Sequence, residues 1–459
     1  MALINYSEIN PVIHMAFYGR TTDGRLADRN YFLWKNTVER SIDWIVEHLE
    51  TESRRSLFFN VPKRTRHGIR YVNLKGRPDQ KFLAVKFETD ESMGADIQIE
   101  RNNLLWIHEH MGAEVAQNVP VPLLSYVDDR RIALVSLFEP GGTLYESLEH
   151  VGDNNVHLLL KPIANAHGRL VAACSFHETK MKKDGIEFTS YNTEERFIEV
   201  TSRLNTQDAP KFDGHRHQLN ARLDLYEDII DDHNELFSLK TPFWQRRHAV
   251  LQAGPGDPHP DNWIVNENRN NAVLLDWEKL RGDLNVPYSV AFVVSGLVAD
   301  PWILKSLFRL TSPRQHYNQL LRDRVTQGVS GQRYIEQEMI KLYCQSFLDG
   351  VQAQLDEYNW GLENHGNRLE KLADSVYNIM PEAMIEHLSL WWKRSNFGVP
   401  GTGLNQRNFL IRANRAWHYL ISQKHYTNDL KRVGMTEAFE EYMKVSGFTH
   451  TMEMIIEKR

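Results

Sequence analysis

Apolar residues follow two different rhythms along this chain. Val38, Ile42, Ile45, Val46 and Leu49 fall at helical spacing and predict a helix over residues 35–50, within an N-terminal extension of residues 1–55. From about Leu57 to Val135 the rhythm is mainly that of strands. Ile69, Tyr71 and Asn73 alternate with Arg70, Val72 and Leu74; the turn-forming run Gly76-Arg77-Pro78-Asp79 follows, and residues 82–87 read as a core strand. A helix is expected over 95–110, with Ile97, Leu104, Leu105 and Ile107 on its apolar side. A further strand over 132–137 ends at the tight connector Glu139-Pro140-Gly141-Gly142.

Helical periods dominate after that, over 158–177 and again over 219–237. A compact strand–loop–strand unit is expected from the apolar runs 249–251, 263–265 and 272–275, its first connection broken by Gly254, Pro255, Gly256, Pro258 and Pro260. Residues 290–459 read as several helices, with a boundary at the Gly/Pro-rich loop 396–403 that opens a subdomain or a long extension. The order predicts an α+β chain: a helical extension over 1–55, a unit of strands plus one helix over 56–137, a mixed unit over 138–295, and a helical region over 296–459.

Composition narrows the class. The 459 residues are enough for a sizeable core, and the charged fraction is ordinary for a globular protein. The net charge of −6 gives no surplus of Lys and Arg for phosphate backbones, so no nucleic-acid partner is expected. Cys174 and Cys344 stand alone, which argues against a disulfide scaffold or a Cys-based zinc site and fits a reducing compartment. The first residues carry no basic start followed by an apolar run, so a cytoplasmic location is expected. The longest apolar stretch, 286–299, is interrupted by Ser289, Ser295 and Gly296. It falls short of the roughly 20 residues of a membrane span and predicts a buried helix instead.

The sharpest chemical signal is Gly256-Asp257-Pro258-His259-Pro260-Asp261-Asn262, followed 14 residues after Asn262 by Asp276 in Leu274-Leu275-Asp276-Trp277-Glu278. Such turns often serve only the backbone. Two apolar strands, however, have no need of three polar groups converging between them. Phosphoryl transfer does: a carboxylate to orient an acceptor hydroxyl and take its proton, oxygen ligands for Mg²⁺, and a cation on the phosphates. A turn holding Asp257 with Asn262 five residues on can supply the acid and a metal-binding amide, and a short hairpin brings Asp276 beside Asn262.

These residues resemble the catalytic loop of the aminoglycoside phosphotransferase and choline kinase family of protein-kinase-like small-molecule kinases, which usually reads His-Gly-Asp-x-His-x-x-Asn. The resemblance covers roughly residues 60–295 and implies a two-lobed protein-kinase-like fold with a mainly helical C-terminal lobe, with ATP and Mg²⁺ as cofactors. By the same match Asp257 is the catalytic Asp, while Asn262 and Asp276 are metal ligands. Lys86 in Ala84-Val85-Lys86-Phe87 resembles the phosphate-binding lysine, and Glu100 resembles its helical partner. Backbone groups from Leu137 to Glu139 resemble the adenine-binding hinge, although a plain strand-to-helix turn looks the same. Gly68 in the basic run 62–69 suits a loop covering phosphate, or a basic surface turn.

The pattern is broken in places. Pro255 stands where the family has a supporting His, so the loop must be held by other means. His259 stands two residues after Asp257, where many protein kinases have Lys, which favours a small-molecule acceptor. It suits loop support or a phosphate contact. Glu278 replaces the glycine that follows Asp-Phe in protein kinases. In an extended segment it would point with Asp276, toward a second metal or into a salt bridge. The usual downstream Asp falls near Ser289.

On 219–237, the acids Asp224, Glu227, Asp228, Asp231, Asp232 and Glu235 form either a solvated face or an anionic rim for a cationic acceptor. Tyr226, Phe243, Trp244 and the pair Trp391-Trp392 are core residues or acceptor contacts. The expected activity is ATP-dependent phosphorylation of a small-molecule alcohol, such as a sugar, amino sugar or amino alcohol. No membrane partner is expected, and a homo-oligomer is compatible with the sequence. A protein kinase, a catalytically silent nucleotide-binding protein and a nucleotidyl transferase are the rivals.

Overall fold

The alternation after residue 68 becomes an antiparallel hairpin. Strand β1 (Gly68–Leu74) pairs with β2 (Arg77–Glu88), placing Ile69 opposite Lys86 and Tyr71 opposite Ala84. The second strand starts at Arg77, inside the expected turn. Pro78 and Asp79 lie where the register shifts, so a residue without an N–H sits where the ladder asks for none. A computed structural model of the chain describes residues 68–74, 77–88, 91–128, 131–137, 139, 141–144, 147, 156–190, 231–240, 249–265, 271–298, 330–363, 366–397, 412 and 416. The expected helix 35–50, the basic run before Gly68, the acidic segment 219–230, Phe243, Trp244 and loop residues 398–403 lie outside these.

β2 also pairs with β4 (Arg131–Leu137), which pairs with β3 (Pro122–Asp128). The result is an antiparallel four-stranded sheet of order β1-β2-β4-β3. Alternation does not reveal β3, because its register shifts between Pro122 and Leu124. Helix α1 (Glu91–His110) packs on this sheet and buries Ile97, Leu104, Trp106 and Ile107. It starts at Glu91, ahead of the expected residue 95, and an acidic first residue suits a helix N-terminus. The one-turn helix α2 (Ala113–Ala116) leads on to β3.

Three small sheets follow. β5 (Gly142–Thr143) joins the hairpin of β9 (Trp263–Val265) and β10 (Ala272–Leu274). Gly141 precedes β5 at φ 134°, where a Cβ would stand 2.2 Å from the Val265 carbonyl oxygen, so only glycine fits this crossing. β6 (Ser238–Lys240) pairs with β7 (Ala249–Val250) and β12 (Gly361–Leu362), so residues 249–250 do not pair within the expected strand–loop–strand unit. β8 (Gly254–Pro255) pairs with β11 (Leu280–Arg281).

The longer helices of the described chain follow: α3 (Val156–Lys183), residues 231–237, α4 (Val286–Val298), α5 (Ser330–Glu357) and α6 (Arg368–Phe397). The chain is thus α+β. Asn285 starts α4, its side chain accepting the Tyr288 N–H at 2.9 Å, and Pro287 sits in the first turn. As expected, α4 is buried. Among the described residues, no helix is long and apolar enough to cross a membrane. α3 and α5 approach so closely that a Cβ on Gly168 would lie 2.1 Å from the Phe347 carbonyl oxygen. One on Gly350 would lie 2.1 Å from that of Asn165.

His167 of α3 sits at the centre of this helical core. Its ring nitrogens are 3.1 Å from the Tyr343 hydroxyl of α5 and 3.0 Å from the Ser289 hydroxyl of α4. Burial pushes it down from 6.5 to about 3, and burial likewise lowers His233 and, with help from Lys180 and His110, His177, each to about 4. An unfolded His binds its proton near pH 6.5, whereas folded His167 binds one only near pH 3, so acid favours the unfolded chain throughout that window. Each pH unit below the unfolded value costs about 1.4 kcal/mol per fully buried neutral His. The melting temperature is therefore expected to fall from about pH 7 to pH 5, and His167→Gln should flatten part of the slope. A flat profile in thermal melts would refute this.

Candidate active site

Lys86 stands in the middle strand pairing of the sheet, between Ile69 and Leu134. Its Nζ donates to Glu100 Oε2 of α1 at 2.7 Å and to Asp276 Oδ1 at 3.0 Å. Side-chain exposures of 17%, 6% and 28% for Lys86, Glu100 and Asp276 leave only the last with substantial solvent contact. Burial alone would lower the Lys86 pKa, but the charges of Glu100 and then Asp276 outweigh it and hold the ammonium above its ordinary range. Burial pushes the Glu100 carboxyl up, against the pull of Lys86. Lys86 therefore stays cationic at neutral pH between two acidic groups brought from separate elements.

Asp276 follows β10 in a left-handed conformation, φ 52°. This backbone is uncommon for a residue with a side chain, though Asp tolerates it better than most. The turn is tied down from several directions. Leu275 N–H donates to the Asn262 carbonyl at 2.7 Å, which brings Asn262 and the Asp276 loop side by side. Trp277 is fully buried and donates its indole N–H to Leu274 O at 2.8 Å. Its backbone N–H reaches Glu100 Oε1 at 3.4 Å, and its carbonyl accepts from Asn103 Nδ2 at 2.7 Å. Because the chain is left-handed at Asp276, strand alternation does not place Glu278 on the same side; Glu278 lies at a half-buried bend.

The loop 256–262 is held without the missing imidazole. Pro255 pairs with Leu280 at a ladder position, and the adjacent Gly256 N–H supplies the bond to Lys279 O at 2.9 Å. Pro260–Asn262 forms a 3-10 turn in which His259 Nδ1 accepts the Asp261 N–H at 3.1 Å. Asn262 Nδ2 donates to Asp257 O at 3.0 Å, and the Trp263 indole donates to Pro258 O at 3.2 Å. Behind this turn lies α6. The His387 ring is centred 5.0 Å from His259 and stacks on Phe292 at 4.3 Å, with Nε2 2.6 Å from Phe292 O. The Tyr288 hydroxyl donates to Glu386 alongside.

The structure thus brings Lys86, Glu100 and Asp276 together, and sets Asn262 and Asp257 on the neighbouring loop. Gly68 begins β1 opposite Phe87, one ladder step from Lys86. Leu137 ends β4 with its N–H spent on Val121 O at 3.0 Å, and Glu139 is buried just beyond. Asn118, after α2, ties the sheet side to the β9–β10 hairpin: its Nδ2 donates to Ala272 O at 2.9 Å, and its carbonyl accepts the Leu274 N–H at 2.9 Å. Of the acids on 231–237, Asp232 accepts from Ser375 Oγ at 2.6 Å and Glu235 pairs with Lys371, both from α6. Asn103, Trp263 and His387 lie outside the motif, and Trp277 lies within it with no task assigned from sequence. Only Asn103 carries a local signal, its place one helical turn after Glu100.

Asn262 commits one amide N–H to Asp257 O, which fixes the side chain and identifies Oδ1 as its acceptor atom. Together with the Asp276 carboxylate this makes a hard-oxygen donor pair. Among the described residues no group of three or more His, Cys, Asp and Glu is gathered for an ion. A sparse oxygen set of this kind fits Mg²⁺ held largely by phosphate and water.

No protein-family model matches the sequence, and no curated protein is similar to it. Three solved structures to which the chain is similar are aminoglycoside phosphotransferases. One, from Streptomyces rimosus in complex with ADP and streptomycin, is 13% identical over 71% of this chain and 98% of its own, with a TM-score of 0.36. An aminoglycoside-3'-phosphotransferase of type VIII is 15% identical over 67% and 88%, with a TM-score of 0.32. The third, in a ternary complex with streptomycin and ATP, is 13% identical over 66% and 95%, with a TM-score of 0.27.

Proposed function

We infer that this chain is an ATP- and Mg²⁺-dependent phosphotransferase acting on a hydroxyl of a small molecule: a sugar, amino sugar or amino alcohol. The observation that carries this reading is Lys86 bonded at once to Glu100 and Asp276, beside the loop of Asp257 and Asn262. A lysine held on a strand between two carboxylates is poised to exchange one of them for phosphate oxygens. In this reading the sheet with α1 is the smaller lobe, residues 138–295 form the core of a mainly helical lobe, and 1–55 and 296–459 are additions. ATP lies between the lobes.

Each residue then has a task. Lys86 binds phosphate, and Glu100 fixes its direction. Asp257 orients the acceptor hydroxyl and receives its proton as the oxygen attacks the terminal phosphorus. Asn262 and Asp276 hold Mg²⁺. When bound, the metal neutralises charge on the phosphates during transfer. Gly68 lets the backbone approach the phosphates. The Leu137 N–H is committed to Val121, so the adenine edge falls to the backbone that follows, through Glu139.

The test is a metabolite screen. The purified chain, ATP and MgCl₂ are incubated with panels of sugars, amino sugars and amino alcohols, and products are weighed by mass spectrometry. A product heavier by one phosphoryl group, formed with stoichiometric ADP, is expected. Addition of a nucleotidyl group, transfer to protein only, or nucleotide binding without transfer across the panel would each replace this reading.

A further inference from the structure

We propose that Asn103 is a positioning residue for Asp276: with Glu100, it clamps both backbone groups of Trp277 and so sets the left-handed turn that aims the Asp276 carboxylate. This rests on the reading of Asp276 as a ligand of Mg²⁺-nucleotide. Asn103 and Glu100 lie one turn apart on the same face of α1, and their exposures are 1% and 4%. Glu100 accepts the Trp277 N–H at 3.4 Å, and Asn103 donates to the Trp277 carbonyl at 2.7 Å. These are the two peptide planes immediately following Asp276. With the chain before Asp276 anchored by the Leu275 N–H on Asn262 O at 2.7 Å, fixing both planes after it leaves Asp276 little freedom to relax from φ 52° to a commoner backbone.

The two contacts differ in character. The Glu100 bond is long, and that carboxylate is shared with Lys86 at 2.7 Å. The Asn103 bond is short and neutral, and its donor serves the carbonyl of a fully buried residue. It therefore persists if the Lys86–Glu100 pair loosens when phosphate draws on the ammonium. α1 and the Asp276 loop are thereby joined by two routes: a side-chain route through Lys86 and a backbone route through Asn103. The second keeps the carboxylate in place while the first is being rearranged.

A merely structural role predicts something else: loss of stability with ligand binding intact. The discriminating experiment is calorimetric titration of ATP, with and without MgCl₂, into the wild-type chain, Asn103→Leu and Asn103→Ser. Leu keeps the volume and loses the donor; Ser is smaller and covers the case in which Leu does not fold. The Mg²⁺ concentration giving half-maximal enhancement of ATP binding is expected to rise about tenfold in both variants, the scale of lost support behind a metal ligand. ATP affinity without Mg²⁺ should stay unchanged. In turnover, kcat should fall while the KM for the acceptor holds. Wild-type Mg²⁺ dependence that is retained in a folded variant overturns the role of Asn103 and leaves the phosphotransferase reading standing. ATP binding to the wild type with no response to Mg²⁺ overturns both.

Discussion

On the proposed reading, replacing Asp257 by Asn is expected to lower phosphorylation of the acceptor by about 10³-fold, the scale of a lost general base, and to leave affinity for Mg²⁺-ATP nearly intact. The substitution is isosteric. The loop contact that Asp257 makes through its backbone, the carbonyl accepting Asn262 Nδ2 at 3.0 Å, needs no carboxylate. What is lost is the proton acceptor. Asp276→Asn behaves differently, because its Oδ1 accepts from Lys86 at 3.0 Å and its carboxylate is half of the oxygen pair for the metal. Its main effect falls on Mg²⁺-dependent nucleotide binding. Steady-state turnover beside calorimetric ATP titration separates the two. Asp257→Asn turning over within about tenfold of wild type would remove Asp257 from the chemistry.

The second large effect is on stability. In an exposed helix, Gly→Ala is favourable by about 1 kcal/mol, because alanine loses less backbone entropy on folding. At Gly168 and Gly350 the sign reverses. The added methyl would lie 2.1 Å from a backbone carbonyl oxygen of the facing helix in each case, and backbone cannot swing aside as a side chain can. α3 and α5 would have to part, thinning the core around His167, Tyr343 and Phe347. Gly168→Ala and Gly350→Ala are each expected to destabilise by about 3 kcal/mol, at the upper end for overpacking. Gly366→Ala, where a methyl meets nothing within 4 Å, is the control. Urea denaturation checks this; a stabilised Gly168→Ala would show that the helices do not cross there.

What the sequence disclosed is what local chemistry encodes. The β1–β2 hairpin, α1 and α4 are legible because their apolar residues repeat at short range. The segment from Gly256 to Asn262 stands out because glycines and prolines dictate its backbone while its acids and amide have no apolar role. The encounter of Lys86, Glu100 and Asp276 has no such local mark, and only the resemblance brought those positions into one list. The pairing of β7 with β6 joins strands whose partner β12 lies far along the chain, and no periodicity reports that. The departure at Ser289 looks like a lost support when read alone. In the fold its hydroxyl meets His167, and an uncharged hydrogen-bonded triad with Tyr343 occupies the core. Asp232 and Glu235, read as solvent-facing or acceptor-facing, are exposed and also bond Ser375 and Lys371 of α6, a tertiary contact that no local pattern reports.

The stacking of His387 behind His259 also bears on the order of manufacture. A chain leaving the ribosome delivers Lys86, Asp257 and Asp276 well before α6 emerges, and domains generally fold as their segments appear. During that interval His259 has Phe292 beside it but not His387, and Phe292 lacks the imidazole that stacks on its face and meets its carbonyl. The imidazole that backs this turn is thus supplied only after the strands and turns it supports have been made, so the last layer of packing behind the loop comes from a helix more than a hundred residues downstream.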